Sequence, residues 1–286
     1  MTQGAYTPVW VPTLFDLPEL LAVLDVRPDA PVSSVPSGHG GVLGAQLLGQ
    51  QVRLAERLVP GKRVQSLQTL FVRPGRADLP MTVDVEHLQA GRSFASLTLT
   101  FRQGDVLVSR ASALLTVDEP DFLRRVAAAP SVPPGVVSVR RALLPWQAIA
   151  VPTEDPADLD LLLRAPSDLA EDPSLWRALI AFTSEVPAVQ QVVDGLGVAV
   201  PDARLPGAVL SQTLTFLEPL DVREWHRVRV VVPYVGAGRL LARGEVFDAE
   251  GALAATFATA GLLRAPVSRA PAGGRPPPPG WHGPAS

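Results

Sequence analysis

One strand pattern occurs twice in this chain, and that duplication restricts its fold more than any other feature. Gly91-Arg92-Ser93-Phe94 leads into a run ending at Leu115, and Gly238-Arg239-Leu240-Leu241 leads into one ending at Leu263. Both runs close on Leu-Leu, and both are broken midway, by Gln103-Gly104-Asp105 and by Ala249-Glu250-Gly251. The correspondence extends upstream, where Ser66-Leu67-Gln68-Thr69-Leu70 parallels Leu210-Ser211-Gln212-Thr213-Leu214. Two like halves bury together a surface that neither covers alone, so a site is expected where they meet.

With 286 residues, 47% apolar and 19% charged, the chain is long enough for one large core or two smaller ones. Its formal net charge is −3 and no Lys/Arg-rich stretch occurs, so nucleic acid is not an expected partner. The absence of cysteine excludes disulfides, thiolate metal sites and a cysteine nucleophile. Met1 to Trp10 lacks the basic and apolar regions of an export leader, and no uncharged apolar run is long enough to span a membrane. A soluble, cytoplasmic protein without a membrane partner is the expectation.

Residues 14–25 carry leucines at helical spacing behind Asp16-Leu17-Pro18, a helix start. After the turn-rich Ser37-Gly38-His39-Gly40-Gly41, the run from Gly44 to Val59 reads as a longer, largely buried helix ended by Pro60-Gly61. Four strands are predicted over 64–73, 80–89, 93–103 and 106–117. The stretch from Asp118 to Pro156 contains seven prolines and reads as a connection between modules. A strand over 159–164, a helix over 173–193 and strands over 207–217, 225–235, 239–248 and 252–263 then repeat the order. The predicted organisation is an N-terminal module 1–118, a Pro-rich connection 119–156, a C-terminal module 157–264 and a disordered Pro/Gly-rich tail 265–286.

A long helix clasped by an antiparallel sheet, present twice, is an α+β double-hotdog pattern, and several short motifs sharpen the likeness. Leu43-Gly44-Ala45-Gln46-Leu47-Leu48-Gly49-Gln50 resembles the Gly-Gly-Gln-x-x-Gly-Gln helix start of the acyl-CoA thioesterase II family, the TesB type. Leu70-Phe71-Val72-Arg73-Pro74-Gly75 resembles its Phe-Leu-Arg-Pro-Gly strand end, and Val85-Glu86 with Gly91-Arg92-Ser93-Phe94 resembles its Val-Glu-x-Leu-x-x-Gly-x-Ser-Phe. In the second half, Glu224-Trp225 and the run closing Gly261-Leu262-Leu263-Arg264 are similar to its Glu-Trp and Glu-Gly-x-x-Arg elements. The resemblance covers residues 10–264 and implies hydrolysis of fatty acyl-CoA to free acid and CoA, with no metal or organic cofactor. A homo-oligomer is compatible with it, although two fused halves already replace a hotdog dimer.

Thioester hydrolysis needs an activated water and donors aimed at the developing oxyanion. The family orients that water with an Asp on the second long helix and a Thr and a Gln on two later strands. By resemblance, Ala181-Phe182-Thr183-Ser184-Glu185 puts the acid at Glu185, while Val209 occupies the Thr position and Thr259 the Gln position. The carboxylate survives one methylene longer, whereas two of the three positions have changed. Strand periodicity puts Ser211 on the face of Val209, about 6.6 Å along, as a replacement hydroxyl if the water moves.

Glu185 also stands out from the residues alone. It is the only charge between Arg177 and Asp194, in an apolar run, where desolvation would raise its pKa toward that of a general base; a bend at Pro187 that frees it to solvent is the structural alternative. Gln46 and Gln50, on one face near the start of the first long helix, are candidates for binding the thioester beside Gly44 and the free amides there. Arg73 is a candidate for the CoA phosphates. His39 beside Ser37 has no placed acid and makes no triad. His87, His226 and His282 lack metal-ligand spacing and are expected on strand surfaces or in the tail.

Overall fold

The computed structural model describes residues 16–34, 41–139, 146–185, 195 and 207–264. Helix α1 (Leu17–Leu24) starts as its sequence dictates, with Asp16 as N-cap accepting the Glu19 N–H at 2.8 Å and proline in the first turn. Helix α2 (Gly44–Leu58) is buried over most of its length, with Gln46, Gln50, Gln51 and Glu56 buried among its small and aliphatic residues. Four antiparallel strands follow, β1 (Arg63–Phe71), β2 (Thr82–Ala90), β3 (Phe94–Gln103) and β4 (Val106–Thr116).

The connection between halves is more ordered than its prolines suggest. It carries β5 (Val137–Val139) and β6 (Gln147–Ala150), which extend the sheet at one edge through β7 (Leu159–Arg164). Pro130 is tied down as well, because the Arg227 guanidinium donates to its carbonyl. Helix α3 (Pro173–Glu185) and strands β8 (Gly207–Phe216), β9 (His226–Gly236), β10 (Arg239–Phe247) and β11 (Leu253–Leu263) complete the second half. The expected continuation of the second long helix beyond Glu185 and the Pro/Gly-rich tail lie outside the described residues.

Among the described residues, eleven strands form one sheet in the order β2-β3-β4-β1-β8-β11-β10-β9-β7-β6-β5. The halves join edge to edge, with Ser66 to Leu70 of β1 antiparallel to Ser211 to Thr215 of β8. The sheet curls about the two long helices, which run antiparallel and cross where Gly49 meets Ala178: a Cβ on Gly49 would lie 3.0 Å from the Ala178 carbonyl oxygen. Leu48, Val52, Leu67, Leu97 and Leu115 from the first half and Leu163, Leu179, Phe182 and Leu214 from the second form one continuous buried cluster. Among the described residues, no helix is long and apolar enough to cross a membrane.

Candidate active site

The antiparallel crossing brings the last residue of α3 to the first turn of α2. Leu43 sits at the N-cap of α2 and provides no side-chain cap, leaving its first amides to other partners. Glu185 supplies one: its Oε2 accepts the Ala45 N–H at 3.2 Å. The Gly44 N–H beside it has no acceptor among the described residues. A side chain at 44 would put its Cβ 3.1 Å from Glu185 Oε1 and 3.2 Å from the Phe71 ring, so glycine there permits the close approach of acid and helix end.

Part of the Glu185 residue reaches solvent, yet its carboxyl group is largely withdrawn from water. Burial pushes its pKa up to about 7, and the Ala45 amide, which favours the charged form, offsets only part of that rise. The group therefore exchanges protons near neutrality. The segment before α2 is zipped to the chain after β1 by the Val42 N–H on the Gly75 carbonyl at 2.9 Å. This places Arg73 on the rim of the same corner, exposed and without an ion pair among the described residues.

Beside Glu185 lies a buried polar chain. Thr259 Oγ1 donates to Gln212 Oε1 at 3.2 Å, Gln212 Nε2 donates to Ser184 Oγ at 2.5 Å, and Ser184 Oγ donates to the Ala181 carbonyl at 2.7 Å. Gln212 pairs directly with Thr69 on one side and Thr259 on the other, so the three form a row across the sheet face that meets the helices. Thr69 in turn donates to Gln51 Oε1 at 2.7 Å, and Gln51 Nε2 donates to Ser109 Oγ at 3.2 Å.

Ser211 is not part of this row. The β8–β11 register slips between Ala260 and Gly261, so Val209 pairs with Gly261 while Ser211 pairs with Ala260. That extra residue on β8 reverses the alternation and turns Ser211 to the opposite face, beside exposed Leu70. Gln212 takes the inward position instead. Strict period-two reading of the sequence missed it because a single inserted residue is invisible to periodicity.

Gln46 and Gln50 are both fully buried. Gln50 Nε2 donates to the Val23 carbonyl at 3.1 Å and the Ser33 carbonyl at 2.7 Å, so it fastens α1 and the following loop to α2. Its Oε1 has no hydrogen-bond partner among the described residues. His226 is also buried, contrary to its expected place on a strand surface, with Nδ1 3.1 Å from the Glu224 carbonyl and the ring edge-on to Trp146. His87 is exposed on β2, and His39 and His282 lie outside the described residues.

Two long helices packed on a single antiparallel sheet, with an acid from one helix at the start of the other, define a double hotdog. The acyl-CoA thioesterase N-terminal domain family matches residues 32–116 and the acyl-CoA thioesterase C-terminal domain family matches residues 108–263, and the chain belongs to this thioesterase family. Acyl-CoA thioesterase 2 of Haemophilus influenzae is 23% identical over 258 residues, covering 79% of this chain and 89% of its own. The tesB protein of Mycobacterium avium subsp. paratuberculosis superposes with a TM-score of 0.74 at 21% identity, covering 87% of this chain and 100% of its own. An acyl-CoA thioesterase II from Mycobacterium marinum gives a TM-score of 0.71 at 24% identity, over 88% and 99% of the two chains.

Proposed function

We propose that this protein hydrolyses fatty acyl-CoA, releasing the free acid and CoA, with Glu185 as the group that activates water. The observation that carries this reading is the Glu185 carboxyl, held against the first turn of α2 with its pKa raised to about 7. In its ionised form it takes a proton from water as the water oxygen attacks the thioester carbon. The Gly44 N–H and the positive end of α2 stabilise the oxygen that becomes negative. Collapse of the tetrahedral species breaks the carbon–sulfur bond, and the proton held by Glu185 passes to the departing sulfur. Thr259 and Gln212 hold Ser184 and the end of α3 in place, and the exposed Arg73 is the candidate partner for a CoA phosphate.

Steady-state hydrolysis of acyl-CoAs of graded chain length by wild type and by Glu185→Ala tests the assignment. Wild type is expected to turn over, and the variant to lose about 100-fold or more, the usual cost of removing a general base. Equal rates in the two would remove Glu185 from the chemistry.

A second reading, an acyl-CoA or lipid-binding protein without turnover, is favoured by one specific feature. Val209 brings no hydroxyl, and the Thr259 hydroxyl is already engaged with Gln212. Binding of acyl-CoA with no release of CoA above background would select it.

A further inference from the structure

The helix pair has a second end built from the same parts. Glu56 and Glu185 are each the thirteenth residue of their helices, counted from Gly44 and Pro173. Phe71 ends β1 and Phe216 ends β8. At the first end, the start of α2, Phe71 and Glu185 come together. At the other end, Pro173 at the start of α3 and Phe216 line a cavity of about 360 Å³. Its apolar walls include Trp176, Ile180 and Leu220, and Arg63 and Arg177 also line it. Its volume lies in the range of small-ligand pockets.

The chemistry of the two ends differs. The α3 amides are closed off by Asp172, whose Oδ1 accepts the Ser174 N–H at 2.9 Å and the Leu175 N–H at 3.1 Å. Asp172 is held in turn by Arg53 at 2.8 Å. Glu56, the counterpart of Glu185, accepts from Arg177 Nε at 2.6 Å and Nη2 at 2.8 Å and from the Val64 N–H at 2.8 Å. The counterpart acid and the first α3 amides are thus both engaged, so this end lacks the free acid and open helix start found at the first.

It retains donors for an anion. Arg177 uses Nε and Nη2 on Glu56, and Arg63 uses Nε on Asp118 at 2.6 Å. Arg177 Nη1 and both Nη groups of Arg63 have no protein acceptor among the described residues. The other carboxylates at the cavity are matched by arginines, Glu218 by Arg124 at 3.1 Å and Asp221 by Arg223 at 2.6 Å. Arg223 lies over the Trp176 ring at 4.7 Å and stiffens that wall.

We propose that this cavity is a second, non-hydrolytic site that binds a fatty carboxylate, its chain against Trp176, Ile180 and Phe216 and its head group on the free guanidinium nitrogens of Arg63 and Arg177. The proposal does not depend on turnover at Glu185, because a free carboxylate has no thioester to cleave. Calorimetric titration of decanoate into the full chain tests it, with decanol as the uncharged comparison. Wild type and Gly44→Val, which blocks the first end, are both expected to show saturable decanoate binding at the second end. Arg63→Gln, which alters a solvent-accessible pair, is expected to weaken decanoate about tenfold or more and leave decanol unchanged. Ala255→Leu, which fills the cavity, is expected to weaken both ligands. Loss of all decanoate binding in a folded Gly44→Val protein, no saturable binding in wild type, or equal decanoate affinity in Arg63→Gln and wild type would each overturn the proposal.

Discussion

The Glu185 carboxylate on α3 accepts the backbone N–H of Ala45 in the first turn of α2, at 3.2 Å. One group thus closes a helix end left uncapped by Leu43 and presents an acid at the corner where the two helices meet. Because its pKa is pushed up to about 7, hydrolysis is expected to rise with pH through about 7. The kcat/KM profile of wild type should show this acid limb, and Glu185→Gln should leave only a flat residual rate.

The same acid and His226 bias stability in opposite directions over one pH window. Glu185 rises from 4.5 to about 7 through burial, so between those values the unfolded chain loses its proton while the folded chain keeps it, and stability falls as pH rises. His226 is lowered from 6.5 to about 4, again by burial, outweighing its contact with the Glu224 carbonyl and the nearby Asp221 charge. Its unfolded form therefore gains a proton first, and stability falls as pH drops from 6.5 toward 4. Thermal melts between pH 4.5 and 6.5 are expected to be nearly level for wild type. Glu185→Gln should lose stability with acidification across that window, and His226→Phe should gain it.

Gly49 sits where the long helices touch, and a Cβ there would meet Leu24 Cδ2 at 2.6 Å and the Ala178 carbonyl oxygen at 3.0 Å. Leu24 is a side chain and can yield, but the Ala178 oxygen is backbone within a helix. Gly49→Val is expected to cost about 1–3 kcal/mol by overpacking, measured by denaturant unfolding. Retained stability would mean the helices can separate without penalty.

Arg227 and Asp160 form a bidentate pair at 2.8 and 2.6 Å, both side chains almost wholly buried. Arg227→Met leaves Asp160 charged and unmatched and should destabilise the fold by about 3–5 kcal/mol. The double variant Arg227→Met/Asp160→Leu should recover most of that loss, which chemical denaturation of the single and double variants would reveal.

The β9–β10 hairpin turns through Ala237 and Gly238, both with positive φ, 49° and 70°. Alanine bears a Cβ penalty in that conformation that asparagine tolerates better, and Asn-Gly is the favoured pair for this turn. Ala237→Asn is expected to stabilise by about 0.5–1 kcal/mol, read as a higher denaturation midpoint.

The sequence made the duplicated helix-and-sheet order legible because periodicity is strong over long elements, and it singled out Glu185 as an isolated charge in an apolar run. Ser211 shows what periodicity cannot carry, since the extra residue on β8 reverses facing without changing composition, and Gln212 comes inward in its place. Gln50 reads as a candidate for binding the thioester near a helix start; that its amide also ties down a loop depends on distant carbonyls such as Ser33. The prolines of the connection concealed β5 and β6 because each strand fits in a proline-free stretch, Val137–Val139 and Gln147–Ala150, too short to show a period.

The seam between β1 and β8 makes the two halves one cooperative object. Severing the chain in the connecting segment and isolating either piece would leave Thr69 or Gln212 on an open strand margin, with donors and acceptors unmet along it. Such fragments should recombine with each other, self-associate or precipitate, and neither should persist as a solitary folded unit.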